Sequence, residues 1–258
     1  MIDEAIYVYA IAPVESPALP AELVGVSGEK VEAIRHENLV AYASRVPLDE
    51  FGESPLRRNL EDLDWLERTA RAHDAVVAKA FETSVIVPVR LATIFNDVSN
   101  LRNMLEQERD KILALLERLR GQREWGVKGF IGEAQNDSRS QIRTGTEYLQ
   151  RRRNALNAQQ AATEIARVQA ERVHAVLHGI ATASRLRPCQ DSGLSSSSRP
   201  MILNATYLVA DDRIGSFKET VGEMTSPGLV LELTGPWAPY SFAAFDMQAT
   251  ARAAQVRS

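Results

Sequence analysis

Cysteine is nearly absent: Cys189 is the single one in the chain, which excludes an internal disulfide framework and any site built from several thiolates. It stands beside a serine-rich stretch and reads as an incidental thiol rather than a nucleophile. Long apolar runs are missing as well. None approaches the roughly 18 to 20 residues needed to cross a bilayer. The N-terminus, MIDEA, carries acids where a secretory leader would carry bases, so the chain reads as cytoplasmic, with no membrane partner. Positive charge is not in surplus: 30 Lys and Arg against 34 Asp and Glu give a net charge of −4, so nucleic acid is not an expected partner. The GVSG stretch at 25–28 lacks the lysine and the strand-to-helix setting of a phosphate cradle. No Gly-x-Ser-x-Gly elbow occurs.

What is present is a clear alternation of short apolar runs and longer amphipathic ones. Ala5–Ala12 is rich in β-branched and aromatic residues and stops at Pro13, as a central strand does. Three prolines and two glycines then make an irregular loop between Ala12 and Glu29. Runs at 31–35 and 39–43 flank His36, Glu37 and Asn38, a polar turn of hairpin length. From Asp62 to Phe81 the period becomes helical, with Leu63, Leu66, Ala70, His73, Val77 and Ala80 as the apolar stripe. A second helix is predicted from about Asp97 to Arg120, with Asn96 or Asp97 as its cap, Glu108 as an exception to its stripe and Gly121 as its end. Between the two, Ser84–Leu91 reads as a strand that Pro88 confines to an edge, a bulge or a strand end.

In the second half, Glu124–Ile131 reads as a strand and Ala134–Arg143 as a loop. Thr144 and Glu147 fit a capping box, opening a long helix to about His178. The first half of that helix is thinly apolar and is expected to stand off the core or face a partner. A serine-rich stretch near 185–200, a strand at 201–210, a short helix at 214–224 and a strand at 229–233 follow. The pattern is that of an α+β protein with two packed, mainly antiparallel sheets. Two domains are expected, 1–133 and 134–258, with the boundary between Ile131 and Gly145.

The most informative segment is TGPWAPYSF at 234–242, where two prolines and three aromatics crowd into the last eight residues. Proline removes a backbone donor and fixes φ, so neither a helix nor a central strand suits it. It reads as a rigid plug at a strand end, in which Trp237, Pro239, Tyr240 and Phe242 bury ring area against the core. Exposed instead, the motif would be the leading candidate for a partner contact. The segment resembles the TGPWPPYSF ending of the gas vesicle protein F/L family. Six further segments, in order along most of the chain, carry the same resemblance: YVYAIAP at 7–13, DWL at 64–66 with AHDAVV at 72–77, VPVRLATIF at 87–95, EWGVK at 124–128, GTEYL at 145–149 and NATYLV at 204–209. The sequence departs at Ala238, where the family usually has proline, and at Ala92, where it usually has glycine.

This resemblance implies two domains related to the ferredoxin-like fold. It also implies a minor accessory protein of gas vesicles, located at the vesicle in the cytoplasm. Such a protein binds the small hydrophobic shell subunit, together with other accessory proteins, helps it assemble and limits its aggregation, with no cofactor and no turnover. A ligand-binding regulatory module on a ferredoxin-like sheet is the alternative. A metal-dependent enzyme using His174 and His178, four apart on a helix, is a third reading that lacks an intervening base and a third ligand. Among individual residues, His73 reads as a buried, hydrogen-bonded imidazole and His36 as a surface residue. Arg90 reads as tied into an internal salt bridge or onto a carbonyl, with anion binding as the other possibility. Arg151, Arg152 and Arg153 form the one short basic run, either a solvated helix face or a contact for an acidic partner.

Overall fold

The computed structural model describes residues 3–132, 145–189 and 199–243. The predicted 134–143 loop, Thr144 and the Glu147 side chain of the capping box, most of the serine-rich stretch and the extension past 243 lie outside them. The chain divides into two compact units, residues 1–122 with 237–258 and residues 123–236. The division falls ahead of the expected 131–145 boundary. The final segment belongs to the first unit because Ala238 joins that unit's core.

The first unit is built on β1 (Glu4–Pro13), β2 (Glu32–His36) and β3 (Leu39–Pro47), followed by the short helices α1 (Leu48–Phe51) and α2 (Glu53–Asn59) and the long α3 (Leu63–Thr83). Two-residue strands β4 (Val87–Pro88) and β5 (Ile94–Phe95) and the helices α4 (Val98–Gln107) and α5 (Arg109–Leu119) complete it. The sheet order is β2-β3-β1-β4, with β5 also pairing β1, and all its pairs are antiparallel. His36 pairs with Leu39 across the hairpin turn, where Glu37 takes a positive φ. Central β1 is buried on both faces. Its register with β3 slips between Val8 and Ala10, a bulge at Tyr9. Tyr7 and Tyr9 share a core with Trp65, Val76, Val77 and Ala80 of α3, while α5 packs against β1 and β4. Gly25 is glycine for a reason of space: a Cβ there would lie 2.1 Å from the Tyr9 hydroxyl.

Helix α3 begins after Asp62, whose side chain accepts from the Asp64 and Trp65 amides. Its buried residues are Trp65, Thr69, His73, Val76, Val77 and Ala80. The predicted stripe therefore holds at His73, Val77 and Ala80, while Trp65 and Thr69 replace it in the first turns and Leu63 is 78% exposed. The cause is tertiary. The Trp65 indole donates to Glu50 Oε1 at 2.6 Å and packs against Phe51, which fixes the face. The single helix predicted over 97–120 is two. It is capped by Asp97, whose carboxylate accepts from the Asn100 amide, breaks at Glu108 (φ −106°, ψ 7°), and ends before Gly121 at φ 63°. Glu108 pairs with Lys111 at 2.7 Å at that break.

The second unit contains β6 (Gln122–Ile131), α6 (Gly145–Ile180), β7 (Ala183–Leu186), β8 (Met201–Ala210), α7 (Ile214–Met224) and β9 (Leu229–Trp237). Its sheet runs β7-β8-β6-β9. Ala170, Val173 and Leu177 of α6 and Phe217 and Val221 of α7 pack with Tyr207, Leu203, Val127 and Trp125. From residue 149 to 162 every α6 residue with a described side chain is exposed. β9 runs four residues beyond its predicted end, through Pro236. Proline is tolerated there because β9 is an edge strand. The chain is thus α+β, with two antiparallel sheets and packed helices.

Candidate partner-binding site at the aromatic turn

The TGPWAPYSF motif separates into two sets of side chains. Gly235 takes φ +121°, and a Cβ there would meet the Glu124 carbonyl oxygen at 2.9 Å and the Trp125 ring at 3.1 Å, so glycine alone fits. Beyond it the chain folds into a tight turn, in which the Phe242 and Ala243 amides both donate to the Pro239 carbonyl at 3.0 and 2.9 Å. Ala238, Pro239, Ser241, Phe242 and Ala243 are buried. The Arg118 guanidinium at the end of α5 donates to the Phe242 carbonyl oxygen. The turn is therefore anchored to its unit from several sides.

Trp237 is not part of that anchor, and Tyr240 is so only in part. Trp237 is 57% exposed, which overturns its reading as a buried clamp, whereas Tyr240 is 37% exposed, with its hydroxyl turned in toward Asp74. Phe242, at 3% exposure, is the aromatic that fills the core. A turn held through 238, 239, 241 and 242 leaves 237 and 240 as its exposed positions. Tyr240 still keeps one polar tie, its hydroxyl donating to Asp74 Oδ1 at 3.3 Å. Burial of that hydroxyl, reinforced by the Asp74 carboxylate, pushes its pKa up, so the group stays a neutral donor.

Under the turn lies a closed polar chain. The Ala92 amide donates to the Tyr7 hydroxyl at 2.9 Å, the Tyr7 hydroxyl faces His73 Nδ1 at 3.1 Å, and His73 Nε2 faces the Val89 carbonyl at 3.1 Å. A carbonyl only accepts, so Nε2 carries the proton and Nδ1 accepts from Tyr7. His73 is 2% exposed, and burial lowers its pKa to about 4 against the opposing pull of Asp74 and the Val89 bond. Its ring lies 6.4 Å from that of Tyr240. All polar atoms of this neutral histidine are occupied, and the imidazole supports the turn from beneath. Ala92, which supplies the amide, sits at φ 60°, the left-handed region glycine favours.

Arg90 is exposed and makes no ion pair among the described residues, in contrast to the internal salt bridge or carbonyl contact expected of it. The strand stops at Pro88, so Arg90 falls in the following turn, where its own carbonyl accepts from Thr93. Arg152 and Arg153 are exposed on α6, and the Arg151 side chain is outside the described residues. His174 Nδ1 lies 2.8 Å from the Tyr207 hydroxyl and His178 Nδ1 2.8 Å from Ser184 Oγ. Among the described residues no three His, Cys, Asp or Glu side chains gather to hold a metal ion. Nor is any described helix long and apolar enough to cross a membrane. The sequence pattern gave no means of dividing the motif's aromatics. The outward position of Trp237 depends on how far β9 extends.

The profile of the family described as gas vesicle synthesis protein GvpL/GvpF matches residues 5–244. Gas vesicle protein L of Streptomyces sp. (strain CB03234) is 40% identical over 248 residues, covering 93% of each chain. Gas vesicle protein F of the same organism is 26% identical over 254 residues, covering 92% of this chain and 98% of the relative. The crystal structure of the gas vesicle protein GvpF from Anabaena sp. PCC7120 shares the fold with a TM-score of 0.62 at 19% identity, covering 94% of this chain and 97% of that one. GvpF from Microcystis aeruginosa gives 0.60 at 17% identity, with 93% and 99% covered. With the match running through both units, the chain belongs to the gas vesicle synthesis protein GvpL/GvpF family.

Proposed function

We propose that this gas vesicle accessory protein binds the hydrophobic shell subunit of the vesicle, assists its nucleation and assembly, and limits its premature aggregation. Trp237 and Tyr240 are the contact. The observation that carries this reading is a large aromatic pair held outward on a turn whose other side chains are buried. Tryptophan and tyrosine on a rigid support are the side chains that dominate binding energy at interfaces. Because the turn is already ordered, little conformational freedom is lost on binding.

A subunit that lines a gas space must present apolar surface before it assembles. Covering that surface stabilises the complex by about 25 cal/mol for each Å² of apolar area, before association costs. Other accessory vesicle proteins meet the same partner, and Arg152 and Arg153 offer an electrostatic contact for any that is acidic. An apolar interface is insensitive to screening, whereas exposed charge pairs weaken with salt. The test is co-expression with the shell subunit followed by capture at low salt and at about 1 M salt. Retention at both supports the aromatic contact. Loss only at high salt assigns the contact to Arg151, Arg152 and Arg153 instead.

A further inference from the structure

Helix α6 buries one stripe, Ala166, Ala170, Val173 and Leu177, in its own unit. On another side of the same turns it exposes a second apolar stripe. Ile165 is 61% exposed, Val168 58% and Val176 39%. Ala161 and Ala175 are exposed on that face too. Three exposed β-branched residues on one helix face are more than isolated surface apolar residues require.

Two charges flank this stripe symmetrically. Glu164 and Arg172 stand four residues to either side of Val168, and both are exposed. Neither makes an ion pair among the described residues. Eight residues separate them by about 12 Å along the axis, too far to pair with each other in one helix. Consider a second copy laid antiparallel about a two-fold axis through Val168. Val168 then meets Val168, Glu164 meets Arg172 twice, and Ala161 meets Ala175 twice. The alanines let the backbones approach, and an isologous contact needs such self-matching. A parallel pair would set Glu164 on Glu164 and Arg172 on Arg172.

We infer that the exposed face of α6 centred on Val168 is a homodimer contact, in which two copies of the chain pair antiparallel through this helix. Val168 and the alanines supply the central attraction, with Ile165 and Val176 at the rim opposite Glu171 and Gln160. The charge pairs set the register, since exposed ion pairs alone contribute little. The face is small, so association is weak and depends on concentration.

Sedimentation equilibrium of the full chain from about 1 to 300 μM, a span suited to a small interface, reads this directly. The expected result is a rise from the 28.5 kDa chain mass toward twice that value. Val168→Glu should abolish the rise. Glu164→Arg alone, which sets like charges together, should weaken association about tenfold at low salt. Adding Arg172→Glu in the same chain should restore it. All three positions are exposed, so circular dichroism of each variant should match the parent. A monomer throughout the range overturns the inference, as does a dimer indifferent to Val168→Glu. A dimer that the double charge exchange fails to restore overturns the antiparallel register.

Discussion

His73 and Phe242 are the residues on which the aromatic turn rests. A histidine whose folded pKa is about 4, below the ordinary 6.5, binds fewer protons folded than unfolded across that interval. Its contribution is complete above pH 6.5 and is lost as pH falls through 4, a change of about 3 kcal/mol. Chemical denaturation from pH 7 to pH 4 should show this slope in the parent chain. His73→Gln should remove most of the difference, and equal slopes in the two would mean that His73 is not neutral when folded. Phe242→Ala should cost about 3 to 5 kcal/mol. Trp237→Ala, by contrast, should cost no more than about 1 kcal/mol, and a comparable loss at the two positions would return Trp237 to the core. The sequence marks these residues as a group but does not sort them. Composition identifies a rigid aromatic segment, while the division into anchors and exposed rings follows from the Gly235 backbone and from the Arg118 bond to Phe242.

Elements were more legible than faces. Strands β1, β3, β6 and β8 and helices α3, α6 and α7 stand where periodicity puts them, because each carries a long enough pattern of buried positions. The misplaced details share a cause in long-range contacts. The first turns of α3 bring Trp65 onto Glu50 and Phe51, although Leu63 and Leu66 make an equally good pattern. The break at Glu108 leaves Leu105 and Ile112 buried on both sides, so the period passes through it unseen. The thin apolar content of the first half of α6 corresponds to residues 149–162 that touch little of their own unit. A helix segment without tertiary support is held by propensity alone. Amide hydrogen exchange at low protein concentration should therefore show protection over 150–162 at least about 100-fold below that of 166–177. Equal protection would mean that this segment is covered.

For the whole molecule, family membership supports an accessory role in gas vesicles, and the proposed function adds to it the covering of apolar surface on a vesicle protein. The proposed role calls for a surface, and the anchored turn offers one: Trp237 outward, Tyr240 partly exposed, Phe242 inward. The two exposed rings differ from the core aromatics in one decisive way, because their removal should change binding while leaving the fold intact. The most direct measurement is capture of co-expressed shell subunit by the parent chain and by Trp237→Ala/Tyr240→Ala, with melting temperatures recorded alongside. Loss of two aromatic anchors typically costs at least about 2 kcal/mol, or some thirtyfold in affinity. The predicted result is a complex that survives about 1 M salt in the parent and falls below detection in the folded variant. Undiminished capture by the folded double variant, or no complex with the parent at either salt while both proteins are folded, would contradict the account.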